Sequence, residues 1–322
     1  MTQQTPARSG LVPAVLVCAI VGIATAVAAL VYDRGGASAA ATGTRPAATE
    51  DYGRRLIAET AALLGPDHPD PAMRYSGSRL ACGSCHLGTG TQPGTLSLLQ
   101  TVEHYPRFSA RAGAMTDIED RINECMQRSM NGRALPFDSV EMQAMAAYIR
   151  SLGNRYAAMG ASQRTAVEPA PFKGPGRAAD LAAGKVVFDS RCAICHGGDG
   201  LGLRASVDLA DGYVFPPLWG PDSFNDGAGL HRVLTAARFV KARMPLGNAD
   251  LTSEQAFDVA AYINAQPRPE MASLERDYPD LTAKPVDNSY GPFADEFPLE
   301  QHRFGPFAPI DAYYKALKTK QE

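Results

Sequence analysis

One pentapeptide occurs twice in this chain, as Cys82-Gly83-Ser84-Cys85-His86 and Cys192-Ala193-Ile194-Cys195-His196. Both copies have the same surroundings. A helix-patterned stretch precedes each, RRLIAETAALL in the first and RAADLAAGKVVFDS in the second. Another follows at a distance, EMQAMAAYIRSLG with Tyr148 and FDVAAYINAQP with Tyr262. From the His of the motif to that Tyr is 62 residues in one copy and 66 in the other, so one plan is repeated. Apolar residues recur at helical spacing in both closing stretches: Met142, Met145, Ala146 and Ile149 in one, Phe257, Val259, Ala260 and Ile263 in the other. Strand signals are weak throughout. The expected fold class is mainly α, with two small tandem helical domains over 51–156 and 179–267.

The remaining segments divide by composition. Residues 157–178 hold Pro169, Pro171, Gly174, Pro175 and Gly176 and read as a linker. After Pro267 no period is clear, and 268–322 is expected to be an irregular C-terminal extension lying over the two domains. Near the other end, Leu11 to Val31 is a run of 21 uncharged residues. A signal-peptide core is usually ~7–15 residues, whereas ~20 span a bilayer. Ala37-Ser38-Ala39 offers a small-residue cleavage site. Residues 1–34 are read as a transmembrane anchor, favoured on length, or a cleaved signal helix. Residues 35–50, rich in Ala, Gly and Thr, are read as a flexible tether. Either way the bulk of the chain is expected on the periplasmic side of the cytoplasmic membrane, anchored there or soluble. With 31 Lys and Arg against 34 Asp and Glu, no basic excess exists to grip a nucleic acid. The cations are lopsided: 24 Arg against 7 Lys, the first of them Lys173. Arg is the better residue for a forked grip on oxyanions.

CxxCH is the attachment site of c-type haem: the two thiols add across the vinyl groups and the His coordinates iron. A zinc site would need four converging ligands, and a redox dithiol does not need the following His. Two covalently bound haem c groups are therefore expected, on Cys82, Cys85 and His86 and on Cys192, Cys195 and His196. Each iron has a second face. For the second haem, Met244 in ARMPLG is the natural ligand, with Lys241 and His231 as rivals. For the first, RINECMQRSMNGRALP offers Met126, Met130 and Cys125. Met130 imitates the second copy. Cys125 is the one Cys outside the apolar run that no thioether accounts for, and coordination would shield its thiolate from oxidation. On residues alone both stand. Arg121, Cys125 and Arg128 share a helix face with Ser129 one turn on, beside an apolar stripe of Ile118, Ile122 and Met126. Arg107, Arg111 and Arg133 flank the segment. Four acids dilute this charge, and a solvated helix with ion pairs worth a few tenths of a kcal/mol each is the plain alternative.

The segments YGRRLIAETAALL, MRYSGSRLACGSCH, YPRFSARAGAM, RINECMQRSMNGRALP, FPPLWGPDSFNDGAG, PVDNSYGPFADEF and EQHRFGPFAPI resemble the dihaem thiosulfate dehydrogenases. The resemblance runs from about Tyr52 to about Ile310, and the segment around Cys125 is its specific part. It implies two tandem cytochrome c-like domains. It also implies oxidative coupling of two thiosulfates to tetrathionate, or the reverse, with electrons passed to a cytochrome-type or membrane-embedded acceptor. Carried over, it makes His86 and Cys125 the axial ligands of the first haem, and Arg111, Arg121 and Ser129 the substrate-binding residues. For the second haem it implies His196 with Met244 or Lys241. The 21-residue apolar run is a departure from relatives that are simply soluble.

The chemistry suits these residues. Two dianions brought to ~5 Å repel by ~3 kcal/mol in bulk water and ~13 kcal/mol at an effective dielectric of 20. Forked guanidinium groups and a hydroxyl would offset that repulsion. A thiolate-ligated haem passing its electron to a Met-ligated one at higher potential would run downhill. Cys125 sulfur could also leave iron and form a transient Cys-thiosulfonate. The rival readings are a non-catalytic, membrane-tethered dihaem electron carrier and an electron-delivery subunit of another dehydrogenase. Neither needs Cys125 together with Arg111 and Arg121.

Overall fold

The computed structural model describes residues 46–319. The run Leu11–Val31, with the choice between anchor and signal and most of the proposed tether, lies outside the described residues. Among the described residues no helix is long and apolar enough to cross a membrane. The first domain runs through α1 (Glu50–Ala58), α2 (Thr60–Leu64), the hairpin β1 (Arg107–Ser109) and β2 (Ala114–Thr116), α3 (Ile118–Arg128) and α4 (Val140–Ala157), followed by α5 (Ala161–Val167). The second runs through α6 (Leu181–Val187), α7 (Ala193–His196), the pair β3 (Leu203–Arg204) and β4 (Tyr213–Phe215), α8 (Val233–Arg243) and α9 (Ser253–Asn264). The chain closes with α10 (Leu299–Phe304) and α11 (Ala308–Thr319). Helix dominates, as the periodicity predicts, and both strand pairs are short and antiparallel.

The repeat is visible as packing. In the first domain α1 crosses α4, and a Cβ built on Gly53 would lie 1.9 Å from the Ala144 carbonyl oxygen and 2.9 Å from Tyr148 Cβ. In the second α6 crosses α9, and a Cβ on Gly184 would lie 2.1 Å from the Asp258 carbonyl oxygen and 2.9 Å from Tyr262 Cβ. Only glycine allows either helix pair to approach so closely. The starts are fixed by side chains. Thr49 accepts the Tyr52 N–H at α1, Ser139 accepts Met142 at α4, and Thr252 and Gln255 form a reciprocal capping box at α9. Beneath these crossings sit two cores, one around Leu56, Met126, Met142 and Leu152, the other around Phe188, Trp219, Leu251 and Val259.

The segment 157–178 contains a helix, α5, before its Pro/Gly-rich part. Its one buried residue is Val167, too little for an apolar stripe to show in the sequence. The extension is irregular only in part. It runs as loops and single turns from Arg268 to Pro298 and then forms α10 and α11, which bury His302, Phe304, Ile310 and Tyr314. Its loops are nonetheless tied down. Arg232 donates through Nε to Asp287 at 2.8 Å, and the His302 ring stacks on Phe293 with 3.6 Å between centroids.

The segment FPPLWGPDSFNDGAG brackets the two domains together. Trp219 packs on Phe188 in the second core, 4.9 Å between centroids. Three residues on, Asp222 accepts the Arg79 N–H at 2.9 Å and the Tyr213 hydroxyl at 2.7 Å. Asn225 Nδ2 donates to the Gln127 carbonyl at 2.8 Å, and the Gly227 carbonyl accepts Arg128 Nη1 at 3.2 Å. A second-domain loop thereby fixes the C-terminal end of α3.

Candidate haem and anion site

The first CxxCH follows an irregular loop and opens on a single 3₁₀ turn, Cys82–Ser84. Thr60 holds it: the Cys82 N–H donates to Thr60 Oγ1 at 3.1 Å, and that hydroxyl donates to the Leu56 carbonyl at 2.7 Å. His86 Nδ1 lies 2.7 Å from the Leu96 carbonyl. A carbonyl only accepts, so Nδ1 carries the proton and Nε2 is left as the donor atom toward a metal. Cys125 neighbours the His86 side chain. Burial pushes the Cys125 thiol upward, but the Arg121 guanidinium and the His86 contact outweigh it, and the thiol lies below its ordinary value. Cys82 and Cys85 also neighbour Cys125, and burial pushes them up to about 11 and about 12. One low thiol, two high ones and an oriented imidazole therefore converge. The set fits a covalent haem that Cys82 and Cys85 would hold through thioether bonds and whose iron His86 and Cys125 would bind. Among the described residues no group of three or more His, Cys, Asp or Glu side chains could hold a metal ion directly, as a zinc site would require.

The Met130 side chain is 3% exposed within the first core, against which Cys82 also packs, and its carbonyl accepts the Gly77 and Ser78 N–H groups. Met126 is also in that core, fully buried, on the apolar stripe of α3 with Ile118 and Ile122.

Asp117 and Asp120 cap α3 reciprocally, which sets where Cys125 falls on the helix. Arg121, one turn before Cys125, is 42% exposed and pairs with Glu124 Oε2 at 2.9 Å; the Cys125 thiolate is the largest influence holding its charge. Ser129 closes the helix, its N–H donating to the Cys125 carbonyl. Arg111 comes from the β1–β2 turn. Its guanidinium lies over the Tyr278 ring at 5.9 Å, and its Nε is buried without a hydrogen-bond partner. Despite burial, Tyr278, Tyr290 and Glu124 keep its charge favourable. Arg111 and Arg121 thus share Glu124 as a neighbour.

The other arginines do different work. Arg128 turns away to Gly227 and to Asp277 Oδ1 at 2.7 Å. Arg133 lies over Tyr75 at 3.9 Å and donates to the Ala72 and Arg74 carbonyls. Arg107 is exposed beside Tyr105. Residues of the extension complete the surroundings, and the helix-face reading missed them: Asp277, Tyr278, Tyr290 and Lys284. The Lys284 amine sits among the Tyr278, Tyr290 and Phe293 rings, and burial pushes it down to about 8. Of the four, only Tyr290 falls within PVDNSYGPFADEF, and nothing in that string says which helix it would meet.

At the second motif the helix does not break. α6 passes through one π turn, Phe188–Cys192, into α7, which ends on His196. His196 Nδ1 lies 2.8 Å from the Pro216 carbonyl, again leaving Nε2 as the donor atom. Burial pushes Cys192 up to about 11. Met244 caps α8 and packs against the same core cluster as Cys192, with Lys241 in the preceding turn. His231 has other partners: Nδ1 lies 2.8 Å from the Asp226 carbonyl and 2.9 Å from Ser289 Oγ, and Nε2 lies 3.3 Å from the Asn264 carbonyl.

Residues 74–156 match the SoxA/TsdA cytochrome c domain family, and residues 179–263 match cytochrome c oxidase, cbb3-type, subunit III. The chain is 40% identical to a thiosulfate dehydrogenase of Allochromatium vinosum over 67% of its own length and 77% of that protein. It is 38% identical to those of Stutzerimonas stutzeri and Psychrobacter arcticus, spanning 63% and 61% of their lengths. Among solved structures, the as-isolated form of a thiosulfate dehydrogenase (TsdBA) from Marichromatium purpuratum is 30% identical, with a TM-score of 0.63. That match covers 83% of this chain and 54% of the solved one, so the chain spans about half of that relative's length.

Proposed function

The chain belongs to the thiosulfate dehydrogenases, enzymes with two cytochrome c domains and two covalent haem c groups, and on that premise we propose that it couples two thiosulfates into tetrathionate. The observation that carries this reading is the meeting of Cys125 with His86 beside Arg121. A plain electron carrier has no use for a thiol held below its ordinary value next to a half-exposed guanidinium.

Joining the sulfane sulfurs of two thiosulfates forms one S–S bond and releases two electrons in all. The two haems, when bound, supply the one-electron acceptors that this step needs. The residues do the rest. Arg121, open to solvent and adjacent to Cys125, receives an incoming dianion. Arg111, with an unused buried Nε–H, offers a directed hydrogen bond to a sulfonate oxygen. The Ser129 hydroxyl adds one more donor. Together they offset the repulsion between two dianions in a partly desolvated site. His86 and Cys125 would hold the iron of the first haem, and His196 with Met244, or Lys241 in its place, that of the second. With both haems bound, the second domain would pass the electrons to a cytochrome c-type or membrane-embedded acceptor. The setting is the periplasmic side of the cytoplasmic membrane, with residues 1–34 as anchor or cleaved signal.

The test is haem reduction by thiosulfate with tetrathionate quantified, in the full protein and in Cys125→Ala. Reduction and coupling by the first and not the second supports the reading. Absence of both in the unmutated protein, with no reoxidation by tetrathionate, overturns it and leaves an electron carrier. Fractionating cells into membranes and periplasm tests the location; protein found only in the soluble fraction ends the anchor reading.

A further inference from the structure

We propose that Asp277, on the C-terminal extension, is a positioning residue that aims Arg111 at the substrate; the inference rests on the thiosulfate reading above. One carboxylate serves three partners. Oδ1 accepts Arg128 Nη2 at 2.7 Å. Oδ2 accepts the Tyr290 hydroxyl at 2.6 Å and stands 3.9 Å from Arg111 Nε. The side chains are nearly out of water, Arg111, Arg128 and Asp277 being 15%, 10% and 11% exposed.

The two arginines differ in how far they are committed. Arg128 has a charged bond to Asp277 and another to the Gly227 carbonyl, so it is a strut. At 3.9 Å Arg111 is within Coulombic reach of the carboxylate but beyond a hydrogen bond, and its Nε–H has no acceptor. A buried donor left in this state is costly unless something fills it, and an anion oxygen is the natural occupant. Asp277 holds the guanidinium at the site without using up that donor. The Tyr290 hydroxyl keeps Oδ2 turned toward Arg111. The same extension pins the backbone behind it: the Tyr278 N–H donates to the Arg111 carbonyl at 2.9 Å, and Pro279 lies against Gly113 two residues on.

This role predicts a particular kinetic pattern in the full-length holoprotein, assayed with thiosulfate and a soluble one-electron oxidant such as ferricyanide. Asp277→Asn removes the aim but none of the positive charge, so kcat falls about tenfold while KM does not rise. In an Arg111→Ala background the same change adds less than about twofold, because the residue it acts through is gone. Tyr290→Phe keeps the charge and loses one bond, so kcat falls about threefold alone and is unchanged in the Arg111→Ala background. Losses that multiply in the double variants overturn the proposal, as does a kcat in Asp277→Asn equal to that of the unmutated protein. Should Asp277→Asn not yield folded holoprotein, Tyr290→Phe decides, and normal kinetics there overturn it. Failure of the unmutated protein to oxidise thiosulfate is read before any variant and sinks the parent function instead.

Discussion

Set side by side, the two domains share a frame and differ in what they add to it. Each crosses two helices over a glycine, Gly53 or Gly184, and each seats its CxxCH His with Nδ1 on a backbone carbonyl. In the second domain helix runs unbroken through the motif, and a Met at the end of α8 packs beside it. In the first, a loop separates α2 from the motif, a hairpin carries Arg111, and α3 brings Cys125 and Arg121 to the open side of His86. The frame holds a haem in either case. What the first domain adds is positive charge and a thiol, which a dianionic substrate requires and an electron relay does not.

The largest expected effect breaks this asymmetry outright. Cys125→Ala should lower kcat for thiosulfate by about a thousandfold or more, while the second haem remains reducible by a chemical reductant. Loss of similar size in Met244→Ala, with the first haem's reduction by thiosulfate also gone, would show that the division of labour is wrong.

Acid sharpens the comparison next, through His231, which lies where the second domain meets the extension. Burial holds its imidazole down to about 4 from the usual 6.5. Between those values the unfolded chain takes up a proton that the folded one refuses, so stability is full above about 6.5 and falls as pH drops toward 4. The loss reaches about 3 kcal/mol at the lower end. His231→Gln should flatten the slope of unfolding free energy over that window, measured by denaturant titration at several pH values.

Arg121→Ala should lower kcat/KM about a hundredfold, about 2–3 kcal/mol, leaving the haem spectra of both domains in place. Smallest is a test of the shared frame: Gly53→Ala and Gly184→Ala should each cost about 2 kcal/mol in thermal unfolding, because each drives a methyl group into a facing carbonyl. A large cost in one and none in the other would mean that the two crossings are alike in shape only.

How much of this was legible in the sequence depends on how each feature is encoded. The repeat, the helices before the motifs and the two closing helices were readable because each is written as a motif or as a period sustained over several turns of chain. The face shared by Arg121, Cys125 and Arg128, with Ser129 one turn on, followed from helical spacing alone, but spacing did not show that Arg128 turns away to Asp277. Met130 and Cys125 stood level in the sequence because both are near a turn, and the burial of Met130 in the first core is a matter of packing. The extension was least readable. Asp277 meets Arg128 across 149 residues of chain, and its neighbours act singly, with no period linking them. The helix α5 was missed for a related reason, having one buried side chain to announce it.

The place of Asp277 and Tyr290 near the end of the chain has a consequence for biogenesis. A polypeptide made from its N-terminus presents both CxxCH motifs for haem attachment before residues 277–290 arrive. The arginine cluster is therefore neutralised and locked last, over a domain whose cysteines have already been accessible. A truncation before Asp277 would yield a coloured protein with the attachment cysteines and histidines intact, but without the carboxylate that holds Arg128 and stands beside Arg111.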